Sequence, residues 1–281
     1  MYETAVALVI CSGLLHAVWN MLAKRSRNVN VYLMVINLAS SMALLPFVIP
    51  EWLHTSLSKD RWGLIAASFC LQGVYALFMT RAYKFGDLSQ VYPIMRGTPV
   101  IFVPLIGVLF LGEQLSGWGW CGIALIAAGI GAMNIKRSKA PSEGKAVLSA
   151  VLIGVTITTY SLVDKLLLED LSPLAVLQFT NLGFALALLP SVRHTKGWLR
   201  ELKSDAAVLA AGCIVSPGSY FLYLVALSMA PISHLAPLRE CGTVFGAILG
   251  VFLLKERYPV RRLTAAAVIT AGILTISFNG L

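Results

Sequence analysis

Charge is what this chain has least of. Of its 281 residues only 12% are charged, 13 of them acidic, while 58% are hydrophobic and the mean hydropathy is +0.79. Soluble domains carry about 25% charged residues, so the composition excludes an ordinary soluble globule and indicates an integral membrane protein. Cysteine is equally uninformative as a source of chemistry. Cys11, Cys70, Cys121, Cys213 and Cys241 all lie inside apolar runs and form no CxxC pair, the pattern of small packing residues rather than of a redox or zinc motif. The chain has no HExxH, no GxSxG and no aspartate cluster suited to a divalent metal, and no cofactor is implied. A phosphate-binding GxxxxGK[ST] loop is missing too, since Gly144–Lys145 lacks both the leading glycine and the hydroxyl. The first apolar run follows Glu3 with no basic segment before it, so it is read as a membrane span and not as a signal peptide. The net charge of +9 has no interleaved aromatic pattern to suggest a nucleic-acid partner.

What the chain does have is apolar length. Runs of about 17–25 residues are candidate spanning helices, and ten occur, near 3–22, 30–49, 62–81, 89–111, 117–135, 146–166, 172–191, 206–228, 233–254 and 261–279. The predicted class is therefore an all-α integral membrane protein with ten transmembrane helices. The gaps are short, and only 136–145 (KRSKAPSEGK) reads as a linker, dividing the chain into 1–135 and 146–281. These halves resemble each other. A shift of 143 residues sets Glu113 on Glu256, Arg96 on Arg239, Gly107 on Gly250 and AAGI (Ala127–Ile130) on TAGI (Thr270–Ile273); upstream, a shift of 141 sets Lys24 on Lys165. Two five-helix repeats must run in opposite directions because five is odd. Inverted repeats of this kind are a signature of secondary transporters, with the substrate site at the interface between the halves.

The basic residues give an orientation. Seventeen of the 22 Lys and Arg residues fall in or beside the odd-numbered loops and three on the other side, with Arg96 and Arg239 inside spans. By the positive-inside rule the odd loops are cytoplasmic and both termini extracytoplasmic.

The two stretches VLFLGEQLSGWGWCGIALIAAGIGAMN (108–134) and VFLLKERYPVRRLTAAAVITAGILTISFN (251–279) each run from an apolar helix through an acidic turn into a glycine-bearing helix. In this the chain resembles the drug/metabolite transporter superfamily, specifically the EamA-like permeases, over essentially its whole length. LLHAVWNMLAKRS (Leu14–Ser26) further resembles a bacterial subgroup associated with phosphonate use. The resemblance implies ten helices, transport, and a central cavity lined by the first, third, fourth, sixth, eighth and ninth helices. It says little of the substrate, since such permeases carry amino acids, sugars, nucleotide sugars and phosphorylated metabolites. Both termini are usually drawn cytoplasmic in this family, opposite to the charge bias here.

Within the spans, Arg96 and Arg239 are the costliest residues, at about 2.5–3.5 kcal/mol each for a helix centre. Three readings are open: snorkelling from a depth of roughly 10 Å, an ion pair with Glu240, or bidentate binding of a substrate carboxylate or phosphate in a shared cavity. Glu240, whose repeat partner is Gly97, is read as a partner of the arginines, a ligand for a substrate ammonium, or a proton carrier. His16, Trp19 and Asn20 share one face of the first helix, either on the cavity wall, with His16 as a candidate proton carrier, or in helix packing. Asp164 is a further candidate for proton coupling, while Lys165 is read as a solvated or locally paired end residue. Gln72 and Tyr75 on the third helix, and Tyr220 and Tyr223 on the eighth, are candidate neutral contacts or packing groups. Pro217–Gly218 is expected to break the eighth helix, and Glu113 and Glu256 to play structural parts such as capping the next helix.

The function expected from these residues is secondary transport, by alternating access, of a small anionic or zwitterionic metabolite (carboxylate, amino acid or phosphonate) across a bacterial inner membrane. A proton is the candidate coupling ion, and the assembly a monomer or homodimer. The alternatives are an intramembrane enzyme acting on a lipid or polyprenyl phosphate and a regulatory subunit without transport of its own.

Overall fold

In hydrocarbon every unpaired backbone N–H or C=O costs several kcal/mol, so an apolar run that crosses a bilayer satisfies its backbone internally as a helix. All ten runs do so. In a computed structural model of the protein, residues 1–26, 28–55, 57–85, 88–133, 143–193, 206–253 and 259–279 are described. Among them the helices are α1 (Tyr2–Arg25), α2 (Val29–His54), α3 (Lys59–Phe85), α4 (Leu88–Phe110), α5 (Gly117–Met133), α6 (Glu143–Leu167), α7 (Pro173–Arg193), α8 (Ala206–Leu227), α9 (Ile232–Leu238), α10 (Cys241–Phe252) and α11 (Pro259–Asn279). Helices α9 and α10 together form the ninth span. Eight spans are long and apolar enough to cross a membrane, and two shorter apolar stretches, Met95–Phe110 and Gly117–Ala132, complete the ten. Most of the linker at 136–145, and many of the basic loop residues, lie outside the described residues.

The helix contacts map onto themselves when the halves are exchanged. Helix α1 packs on α8 as α6 packs on α3, α4 packs on α6 as the ninth span packs on α1, and α3 packs on α7 as α8 packs on α2. Three contacts are their own images: α2 with α7, α4 with α9, and α5 with α11. The fold is therefore two inverted five-helix repeats around a pseudo-twofold axis. Small residues set this spacing, as expected where association depends on close backbone approach. A Cβ on Gly129 would meet the Ala265 carbonyl oxygen at 3.0 Å, and one on Gly272 would meet that of Gly122 at 2.6 Å. The shift of 143 residues carries the first contact onto the second.

Two expectations need correction. The break falls in the ninth span and not at Pro217–Gly218, because α8 runs unbroken through Pro217. Just beyond that proline, Ser219 Oγ donates to the Ser12 carbonyl (2.9 Å) and Ser12 Oγ donates to the Ser219 carbonyl (2.6 Å), a reciprocal tie that pins α8 to α1. In the ninth span Pro237 removes a backbone donor, and the chain continues through i→i+3 bonds, Gly242 N–H to Arg239 O (3.1 Å) and Thr243 N–H to Glu240 O (2.8 Å). Glu113, in turn, does not cap the helix that follows it. Its two carboxylate oxygens accept from the Ile232 and Ser233 amides, both at 2.8 Å, and so cap α9 in the other half. Glu256 lies outside the described residues.

The loops that follow even-numbered spans share one face with the N-terminus, and there the halves are tied repeatedly. Glu51 accepts from the amide and hydroxyl of Ser172 (2.8 and 2.5 Å) at the start of α7. Arg61 donates to the Leu166 carbonyl and pairs with Glu169 (3.0 Å) and Asp170 (2.7 Å). The imidazole of fully buried His234 joins Tyr2 (3.5 Å) to the Gln114 carbonyl (3.1 Å).

Candidate functional site

Arg239 is the last residue before the break. Its backbone keeps helical angles and its N–H still bonds the Leu235 carbonyl, and its guanidinium lies over the ring of Tyr223 at 4.2 Å and that of Tyr220 at 5.1 Å, two aromatic faces presented one turn apart by α8. Stacking on aromatic faces suits a planar, weakly hydrated cation. The Nε of Arg239 is buried and has no hydrogen-bond partner among the described residues. A buried donor left unpaired costs about 1–3 kcal/mol, and more when it is charged.

Arg239 borders a cavity of about 80 Å³ lined by residues of both halves. Helix α1 contributes His16 and Trp19, α2 Leu33 and Asn37, and α3 Gln72 and Tyr75. From the second half come Tyr160 on α6, Thr180, Asn181 and Phe184 on α7, and Ser216, Ser219 and Tyr220 on α8. No carboxylate is among the described residues that line it. One wall is a relay of rings, in which Phe184 meets Tyr75 (5.9 Å), Tyr75 meets Tyr160 (5.8 Å) and Tyr160 meets Tyr220 (6.4 Å); Tyr220 in turn meets Tyr223 (6.0 Å), which is off the wall. The lining also includes polar, neutral groups on α2 and α7, Asn37, Thr180 and Asn181. Asn181 Nδ2 donates to Ser40 Oγ and Gln178 Nε2 to Ser41 Oγ, both at 2.9 Å, which holds α7 against α2.

The sequence-predicted residues divide into three groups. His16, Trp19, Gln72, Tyr75, Tyr220 and Arg239 meet at the cavity. Trp19 Nε1 donates to His16 Nδ1 at 3.2 Å, edge-on to the imidazole. Arg96, Glu240, Asn20 and Tyr223 are placed beside the cavity and not on its wall. Arg96 pairs with Glu240 (Nη1 to Oε1, 3.5 Å), with the two side chains 13% and 6% exposed, and the other Glu240 oxygen accepts from Thr243 Oγ1 (2.8 Å). Asn20 donates back along its own helix to the His16 carbonyl (2.7 Å). Tyr223 lies beneath Arg239, 1% exposed.

The third group stands further back. Asp164 lies behind the cavity wall, fully buried, with Oδ1 accepting from Ser68 Oγ and Oδ2 from Tyr220 Oη, each at 2.5 Å. Lys165 turns away and donates to the Leu227 and Ala230 carbonyls (2.6 and 3.1 Å) at the C-terminus of α8, where a cation complements the helix dipole.

Sequence reasoning missed α2 and α7. Asn37 and Asn181 carried a usable signal, because amides in the middle of apolar runs need partners or a wet cavity. Tyr160, Thr180, Ser216 and Ser219 carried none, being common in packed helices.

With the geometry in place, comparison with known proteins identifies the family. The model of the EamA-like transporter family matches residues 3–135 and again 144–278. The uncharacterized transporter YwfM of Bacillus subtilis (strain 168) is 22% identical over 230 residues, covering 80% of this chain and 77% of its own. An uncharacterized transporter in the cobO 3' region of Sinorhizobium sp. is 41% identical over 80 residues, 28% of this chain and 56% of its own. One crystal structure superposes with a TM-score of 0.81 at 16% identity, covering 98% of this chain and 96% of that one, a likeness of fold. These similarities indicate a transporter rather than an enzyme. The chain is a multi-pass membrane protein and belongs to the EamA-like transporter family.

Proposed function

We propose that the protein is a secondary transporter of a bacterial inner membrane, moving a small anionic or zwitterionic metabolite by alternating access, with Arg239 holding the acidic group. The observation that carries this reading is Arg239, an intramembrane cation that lines the cavity between the halves and whose buried Nε has no hydrogen-bond partner among the described residues. A guanidinium fork with a vacant donor is complementary to a carboxylate or phosphonate, and no carboxylate is among the described residues of the wall to favour a cation. Neutral groups of the lining, Asn37, Thr180 and Asn181, suit the remainder of the ligand, an amino or hydroxyl group included. The cavity volume is well below the roughly 300–1,000 Å³ of drug-sized pockets, which supports a small metabolite. Arg96 has its own carboxylate in Glu240, so the two arginines are assigned different tasks: Arg239 meets substrate, and Arg96 ties α4 to the break in the ninth span.

Purified protein in liposomes, given a radiolabelled panel of carboxylates, amino acids and phosphonates, tests this reading. One or more acids should equilibrate or concentrate without ATP. Arg239→Lys, which keeps the charge and loses the fork, should weaken binding about tenfold or more, and Arg239→Gln should abolish it. Unchanged affinity in a folded Arg239→Gln variant would refute the assignment.

A further inference from the structure

Asp164 is the buried carboxylate that the anion site does not use directly, yet it is wired to that site. Tyr220 donates its hydroxyl to Oδ2 at 2.5 Å and places its ring 5.1 Å from the Arg239 guanidinium carbon. Those two contacts bring the carboxylate within about 10 Å of the guanidinium, a range over which charges still interact strongly in a low-dielectric interior. No cation lies within ion-pair distance of Asp164 among the described residues. The charged and titratable groups that bear on it or lie on the elements packed against it include Tyr160 and Lys165 on α6, Arg61 and Tyr75 on α3, Arg96 on α4, Tyr220 and Tyr223 on α8, and Arg239 at the break, with Arg61 engaged by Glu169 and Asp170. Of the cations, Lys165 is directed at the end of α8 and Arg96 is paired with Glu240.

Resting on the transport reading above, we propose that Asp164 binds a proton together with the anion on Arg239, so that the site takes up acid and proton as a unit. The charge balance gives the reason. With the cavity empty, Arg239 and Asp164 offset each other. An anion on Arg239 leaves one net negative charge buried between the halves, where an uncompensated charge is strongly disfavoured. A proton from cavity water restores neutrality by forming an O–H bond on the Asp164 carboxyl. Both hydroxyls that now donate to that carboxyl, Ser68 and Tyr220, also have lone pairs, and Ser68, on α3, can turn to accept the new hydrogen because a helical serine can pass its own hydrogen to the carbonyl four residues back. Binding linkage is reciprocal, so the proton tightens the anion as the anion tightens the proton.

The experiment measures proton uptake from weakly buffered solution when benzoate or methylphosphonate is added to the full-length protein in detergent. Wild type should take up about one proton per bound anion at the optimum pH. Asp164→Asn should take up none, and Tyr220→Phe, which keeps the ring under Arg239 and removes the link to the carboxyl, should displace the pH range of uptake per anion bound. Binding without proton uptake in wild type would overturn this proposal and leave the anion site standing. Uptake that persists in Asp164→Asn and vanishes in His16→Gln would place the proton on the imidazole and also overturn it. If Asp164→Asn does not fold, the test passes to Tyr220→Phe, in which an unchanged pH profile of uptake would likewise overturn the proposal. Failure of wild type to bind any acid of the wider panel would remove the anion site, and this proposal with it.

Discussion

Replacing Glu240 by glutamine removes the carboxylate charge facing Arg96 and nearly preserves its shape. The two side chains are 6% and 13% exposed and 3.5 Å apart, so solvent screens them little. At an effective dielectric of about 20 their attraction is about 5 kcal/mol, part of which is offset by the desolvation of both groups. Removing one partner of a buried pair costs about 3–5 kcal/mol in other proteins, and that is the loss of stability expected for Glu240→Gln and for Arg96→Gln. The double variant should cost clearly less than the two single losses added together, since neither charge then remains to be buried alone. Equilibrium unfolding in mixed micelles, with the four proteins of the cycle compared, gives a coupling energy expected to be about 2–4 kcal/mol. The Glu240–Thr243 hydrogen bond is no confounder, because a glutamine oxygen accepts it as well. A coupling below about 0.5 kcal/mol, the margin within which independent sites add, would show that the pair does not tie α4 to the ninth span. The separate tasks given to Arg96 and Arg239 would then be wrong.

Three further outcomes are expected. Glu113→Ala removes two charge-assisted bonds to the α9 amides and should cost about 3 kcal/mol or more, read as a fall in unfolding midpoint; a change no larger than that of an exposed-surface substitution would mean that the cap is dispensable. Gly272→Val forces a side chain against the Gly122 carbonyl, which a bare Cβ would already meet at 2.6 Å, and should destabilise by about 1–3 kcal/mol; a neutral result in thermal unfolding would show that α5 and α11 can separate freely. A reporter active only in the cytoplasm, fused after Leu281, should be silent if the bias of seventeen basic residues to three sets the orientation, and a strong signal would reverse it.

The number of spans, the repeat and the class of protein were written in the sequence, because a bilayer leaves an apolar run one backbone solution and the shift of 143 residues is visible in the letters. Arg96 and Arg239 were also legible as residues needing a reason, since an intramembrane cation is costly wherever it lies. Their reasons were not legible, although repeat symmetry makes them equivalent. Glu240 has glycine as its repeat partner, and that single asymmetry, realised only when α4 packs on the ninth span, gives one arginine a carboxylate and leaves the other over two tyrosines. The cap that Glu113 provides joins residues about 120 positions apart. Likewise the polar wall on α2 and α7 and the link from Asp164 to Arg239 through Tyr220 depend on which helix faces meet. Hydropathy fixes that a helix crosses the membrane, but its rotation about its own axis is set by the neighbours it packs against, and only the tertiary structure decides that.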